Sequence, residues 1–180
     1  MKKKLLKAAL VILVGTGFIA CKKEAQSEEK TTVTPGPGLN EFLQRGPNGS
    51  VVIYSGWITK TQADWTGFGS HEIQTNIASP SLSDAVRNSG IVMVYFEFDG
   101  KVRALPYTWF DDVYLQTVDY NFVVQNINVV LRLSGNVISG IGELRFRYVL
   151  IPGTQSGGRM ANTVDYNDYD AVCNYYGIAK

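Results

Sequence analysis

Glu143-Leu144-Arg145-Phe146-Arg147-Tyr148-Val149-Leu150-Ile151 decides the fold class of this chain. In an extended backbone successive side chains point to opposite faces. Leu144, Phe146, Tyr148 and Leu150 therefore share one face, while Glu143, Arg145 and Arg147 share the other. A helix would scatter both sets around its axis, so the segment reads as a strand with one buried face. Pro152-Gly153 ends it.

The same period recurs upstream. Val51 to Ile58 is rich in β-branched and aromatic residues, and His71 to Ser79 places Ile73, Thr75 and Ile77 on one face. Ile91 to Phe98 is apolar on both faces for most of its length, the mark of a central strand. Asp99-Gly100 then turns it into Lys101 to Leu105, because this dipeptide adopts the left-handed conformations of a tight hairpin. Val113 to Val118 and Phe122 to Leu133 follow, the latter long enough to need a bulge or bend. About seven strands with turn signals between them predict an all-β fold, an antiparallel β-sandwich.

Two short helices punctuate the strands. Ser81 to Asn88 has helical composition and Ser89-Gly90 closes it. Near the end, Tyr169, Val172, Cys173 and Tyr176 fall at i, i+3, i+4 and i+7, one helical face that packs against the sandwich. Asn167 or Asp168 suits its start and Gly177 its finish.

The first 49 residues have a different character. Lys2, Lys3, Lys4 and Lys7 precede an apolar run from Ala8 to Ala20, which ends on Ile19-Ala20-Cys21. The run is 13 residues long, short of the roughly 20 that cross a bilayer. A basic head, a short apolar body and a small residue before a cysteine predict a lipoprotein signal over residues 1–20, with lipid on the Cys21 thiol. Phe18 stands where such signals favour leucine. Residues 21–49 are polar and carry Pro35, Gly36, Pro37, Gly38, Gly46, Pro47 and Gly49, so they read as a disordered tether. As a coil its 28 residues after Cys21 would reach about 30 Å. Residues 50–180 remain for one domain, a size that buries a core unaided.

Composition narrows the function. Loss of the signal removes four lysines, leaving 13 basic against 16 acidic side chains, a net charge of −3. Nucleic-acid binding needs a dense basic face, and this chain predicts none. Lipidation of Cys21 leaves Cys173 unpaired, and it reads as a small buried hydrophobe. The only histidine is His71, too few ligands for zinc. Asp165 to Asp170 would begin a calcium loop, but its sixth and twelfth positions hold Asp170 and Tyr176 where glycine and glutamate belong. No metal or other cofactor is expected. Glycine-rich phosphate loops and nucleophile elbows are absent from the sequence.

Val52-Ile53-Tyr54-Ser55-Gly56-Trp57, Leu105-Pro106-Tyr107 and Phe146-Arg147-Tyr148-Val149-Leu150-Ile151-Pro152-Gly153 resemble a family of small exported domains of Bacteroidota. The closing Asp165-Tyr166 and Tyr175-Tyr176-Gly177-Ile178 are similar too, so the resemblance spans roughly residues 51–178. Such domains stand behind lipoprotein signals and sometimes behind collagen-like Gly-X-Y repeats, of which only Gly46-Pro47-Asn48-Gly49 gives a hint here. The resemblance implies a sandwich and a lipid-anchored address at the outer membrane. It implies no activity and no catalytic residues.

Two constellations carry chemistry. Asp111-Asp112 offers carboxylates of the kind glycoside hydrolysis uses, but neighbours on a strand face opposite ways, so a partner such as Glu97 or Glu143 would be needed. Trp65 and Phe68 in Thr61 to Ser70, with Tyr107, Trp109 and Phe110 in Leu105 to Asp111, place aromatic faces beside Asp and Thr groups. Such faces hold a glycan or a protein by stacking and burial, and equally they fill the ends of a core. Trp57, inside a strand, reads as core. The leading expectation is a non-catalytic binding module for a glycan or an envelope protein. A structural envelope component without a ligand and a glycan-active hydrolase are the alternatives.

Overall fold

The computed structural model describes residues 31–33, 41–46, 49–135, 141–153 and 164–180. The expected signal over residues 1–20 and the lipidated Cys21 lie outside the described residues. The chain is an all-β antiparallel sandwich with a short C-terminal helix.

Eleven strands are formed among the described residues. They are β1 (Thr31–Val33), β2 (Glu41–Arg45), β3 (Val51–Ser55), β4 (Ile58–Lys60), β5 (Glu72–Ala78), β6 (Ile91–Phe98), β7 (Lys101–Ala104), β8 (Tyr107–Phe110), β9 (Leu115–Val123), β10 (Asn126–Leu133) and β11 (Leu144–Ile151). One sheet has the order β1-β2-β3-β11-β6-β7, with β4 also pairing to β11. The other has the order β5-β10-β9-β8. Helix α1 (Asp84–Ser89) leads into β6, and α2 (Tyr169–Tyr176) follows β11.

The alternating stretch from Glu143 to Ile151 forms the central strand β11. Its Phe146, Tyr148 and Leu150 are fully buried between the sheets, with Ile73, Ile77, Val94, Phe96, Ile127 and Val129. Its opposite face is not left to water. Helix α2 lays Tyr169, Val172, Cys173 and Tyr176 over it and makes a second core with Tyr54, Tyr95, Val149 and Ile151. The molecule thus has three layers: small sheet, large sheet, helix. Arg147, on the outer face, is 5% exposed for this reason. Asp168 caps α2 by accepting a hydrogen bond from the Ala171 N–H, and Gly177 ends it at φ 68°, as the sequence pattern predicts.

The expectation of a disordered tether over residues 21–49 needs correction at 31–33 and 41–45. β1 and β2 lie within that span and extend the large sheet, β2 pairing with β3 from Glu41–Ser55 to Arg45–Val51. Glu41 and Gln44 are buried there. The ladder to β3, not local hydrophobicity, places β2 in the sheet. The long strand expected at Phe122 to Leu133 is also divided, since β9 and β10 form a hairpin through Val124-Gln125. Gln125 takes φ 61° there, held by its N–H on the Leu82 carbonyl and its carbonyl on the Ser79 N–H. Asp99 and Gly100, at φ 51° and 65°, make the hairpin between β6 and β7 that their dipeptide predicts.

Candidate functional site

The five aromatic residues grouped by sequence do not form one exposed face. Trp65 is in the core, 4% exposed, with its ring 6.3 Å from that of Phe146. Phe68 is half-buried against the same core. Alternation along β8 turns Tyr107 and Trp109 inward, where Trp109 stacks on Phe96 and packs tilted against Phe98. Phe110 points outward and is 65% exposed. Four of the five therefore serve the sandwich interior, and on β8 Phe110 is left out because an edge strand buries only every second side chain.

Asp111 and Asp112 are equally local in their role. Asp111 Oδ1 accepts hydrogen bonds from the Val113 and Tyr114 N–H groups, and Oδ2 accepts one from the Gln116 amide. Asp112 adopts φ 67° in the same loop. The acidic run at Asp165 to Asp170 is used likewise in turning and capping: Asp165 accepts from the Asn167 N–H, and Asp168 caps α2. No three His, Cys, Asp or Glu side chains converge among the described residues.

A different aromatic lines a cleft. Tyr54 pairs with Val149 and Ile58 with Phe146, so three residues of one chain oppose two of β11. The extra residue makes a β-bulge at Gly56-Trp57, and bulges re-aim side chains. Ser55 satisfies the interrupted ladder, its Oγ accepting from the Tyr148 N–H and its carbonyl from Arg147 Nε. Trp57 is thereby turned to the outer face of the large sheet, half-buried rather than core. The guanidinium carbons of Arg145 and Arg147 lie 5.3 and 5.6 Å from its ring centroid, and the Tyr169 ring lies 5.9 Å away.

Around Trp57 opens a cleft of about 720 Å³. It is lined by Glu97 and Arg145, by the β6–β7 turn at Gly100 and Lys101, and by the start of α2 with Lys180. Arg145 Nη1 bonds Glu97 Oε2 at 2.6 Å, and Lys180 Nζ bonds Asp170 Oδ1 at 2.5 Å. Both pairs are largely in water, so each contributes little to folding and remains free to exchange partners. The Tyr169 phenol is pushed up to about 12, chiefly by burial, and stays a neutral hydrogen-bonding group. Sequence reading missed Trp57 because the bulge is set by a register across three strands; the glycine before it is the only local signal.

Comparison of the chain with protein-family models, with curated proteins and with solved structures finds no match. The class defined by fold and site is a helix-backed β-sandwich with one aromatic, charge-lined cleft.

Proposed function

We propose that this chain is a lipid-anchored, non-catalytic binding module of the cell envelope, anchored at the outer membrane, and that its ligand is a glycan held in the Trp57 cleft. The observation that carries the reading is the cleft itself. It joins a half-exposed indole to carboxylates, guanidiniums and amines at the scale of a few sugar rings. Sugars are bound by stacking an apolar ring face on an aromatic side chain while charged groups take their hydroxyls. Glu97 and Asp170 are each tied to a cation and Asp168 to a helix cap, roles that suit holding a ligand rather than transferring protons. The signal before Cys21 and the family resemblance support the address.

A glycan array probed with the wild-type chain and with Trp57→Ala tests the binding reading. The wild type is expected to retain a defined set of glycans and the variant to lose them. Signals that survive the substitution would place the site elsewhere. For the anchor, Cys21→Ser is expected to move the protein from the membrane fraction to the soluble one.

A protein ligand is the second reading, and one observation favours it. Phe110, Val113, Tyr114 and Leu115, between 40% and 66% exposed, form an apolar corner at the β8–β9 loop. Apolar patches of this kind mark contact surfaces.

A further inference from the structure

We infer that the cleft selects an anionic sugar, a glycan bearing carboxylates, in preference to a neutral one; the inference rests on the glycan reading above. Its basis is the buried Arg147 beside Trp57. That guanidinium is 5% exposed, and its hydrogen bonds go to neutral acceptors: the Ser55 carbonyl, the Ala179 carbonyl and the Tyr169 hydroxyl. The rings of Tyr54 and Trp57 lie 5.1 and 5.6 Å from its central carbon. Among the described residues no carboxylate forms an ion pair with it. A guanidinium does not shed its proton, so a full positive charge is held beside Trp57 without a counter-ion.

Burying a charge in this way is costly unless it is paired, and hydrogen bonds to neutral groups satisfy its geometry while leaving its field. The field is felt strongly where protein rather than water intervenes. The lining does not cancel it. Lys101, Arg145 and Lys180 balance Glu97, Asp168 and Asp170, while Arg103 turns to the other face of the sheet over Tyr107, so Arg147 supplies the excess of one. Lys101 has no ion-pair partner among the described residues. An entering carboxylate therefore meets cations that it need not detach from other acids. Charge-lined clefts with low-dielectric walls concentrate ions of the opposite sign. The indole selects the sugar ring and the cations select its charge.

The test is a calorimetric titration of the full chain with galacturonic acid trimer, with the methyl ester of the same trimer, and with a trimer of glutamate. The acid is expected to bind at least about tenfold more tightly than the ester, with the ratio shrinking as salt rises. Arg145→Gln and Lys101→Ala change exposed side chains and spare the Arg147 hydrogen bonds; each is expected to lower the acid-to-ester ratio. The ester binding as well as the acid would overturn the anionic preference while sparing the glycan reading. Glutamate trimer binding as well as the acid would overturn the sugar part. No binding by either saccharide, where the array also stays blank, would remove both readings together.

Discussion

The phenol of Tyr148 donates a 2.5 Å hydrogen bond to the carboxylate of Glu41, 107 residues earlier in the chain. Both side chains are fully buried. The other carboxylate oxygen accepts a 2.5 Å hydrogen bond from the Ser81 hydroxyl, and the Ser81 N–H reaches the first at 3.3 Å. One acid thus joins β2, β11 and the turn before α1. Burial, reinforced by this carboxylate, pushes the Tyr148 phenol well above its ordinary range, so it remains a donor.

Removing the acid should cost more than removing its charge. Glu41→Ala leaves the buried Tyr148 hydroxyl and the half-buried Ser81 hydroxyl without their acceptor and is expected to destabilise the fold by about 3 kcal/mol. Glu41→Gln keeps an acceptor and should cost about 1 kcal/mol. Urea midpoints measure both, and a cycle with Tyr148→Phe should give a coupling of about 1–3 kcal/mol. A coupling near zero would mean that the hydrogen bond holds nothing together. A chain begun at Ser50 would lack this joint altogether and should be less stable than one begun at Thr31.

Neighbouring aromatics on β8 offer a sharp contrast. Trp109 is packed against Phe96, Phe98 and Tyr107 with ring centroids 4.6 to 6.0 Å apart, whereas Phe110 is 65% exposed. Trp109→Ala is expected to cost about 3–5 kcal/mol, discounted toward the lower figure because the indole is only half-buried. Phe110→Ala should change stability by less than about 0.5 kcal/mol. Thermal unfolding of the two variants side by side checks the alternation directly; equal costs would mean that β8 is turned the other way.

What could be read from sequence follows from how local each signal is. Phe146, Tyr148 and Leu150 announce their shared face because period two is written into adjacent residues, and Ile73, Thr75 and Ile77 do the same. Asp99-Gly100 and the Tyr169 to Tyr176 face are equally local. Glu41 is the opposite case: a glutamate after a proline- and glycine-rich stretch reads as solvated, and only β3, β11 and Ser81 make it structural. Gln125 carries no turn preference, and its positive φ is imposed by Ser79 and Leu82. The cleft was hidden twice, by the bulge that turns Trp57 outward and by the helix that buries Arg147.

Stability should fall in alkali, and the sign follows from the tyrosines. Burial is the leading cause that raises the phenols of Tyr95, Tyr148, Tyr169 and Tyr176, Tyr169 to about 12. In the unfolded chain each would ionise near pH 10. Below that pH both states hold the protons and the contribution is fully present; as pH rises from about 10 through 12 the unfolded state releases them first and gains. The urea midpoint is therefore expected to stay level from neutrality to about pH 10 and then decline. Phenolate absorbance should rise in two stages, the exposed tyrosines first and the buried set together with unfolding. A single smooth titration of all ten tyrosines in the folded protein would contradict the burial of these four.

The apolar corner should owe its shape to Asp111 rather than to its own side chains. Asp111 fixes the loop through the Val113 and Tyr114 N–H groups, and Ser134 braces it by donating its N–H to the Leu115 carbonyl while its hydroxyl accepts from the Leu115 N–H. Leu115 itself is 51% exposed and packs little. Leu115→Ser is accordingly expected to leave the unfolding midpoint within about 0.5 kcal/mol of wild type. Asp111→Ala removes the acceptor from two backbone donors and should cost about 1 kcal/mol, a cap-like loss. It should also speed amide hydrogen exchange at Val113 and Tyr114 while the rest of β9 stays protected. If Leu115→Ser proves the more damaging of the two, the corner is held by apolar packing and is not a rigid surface presented to a partner.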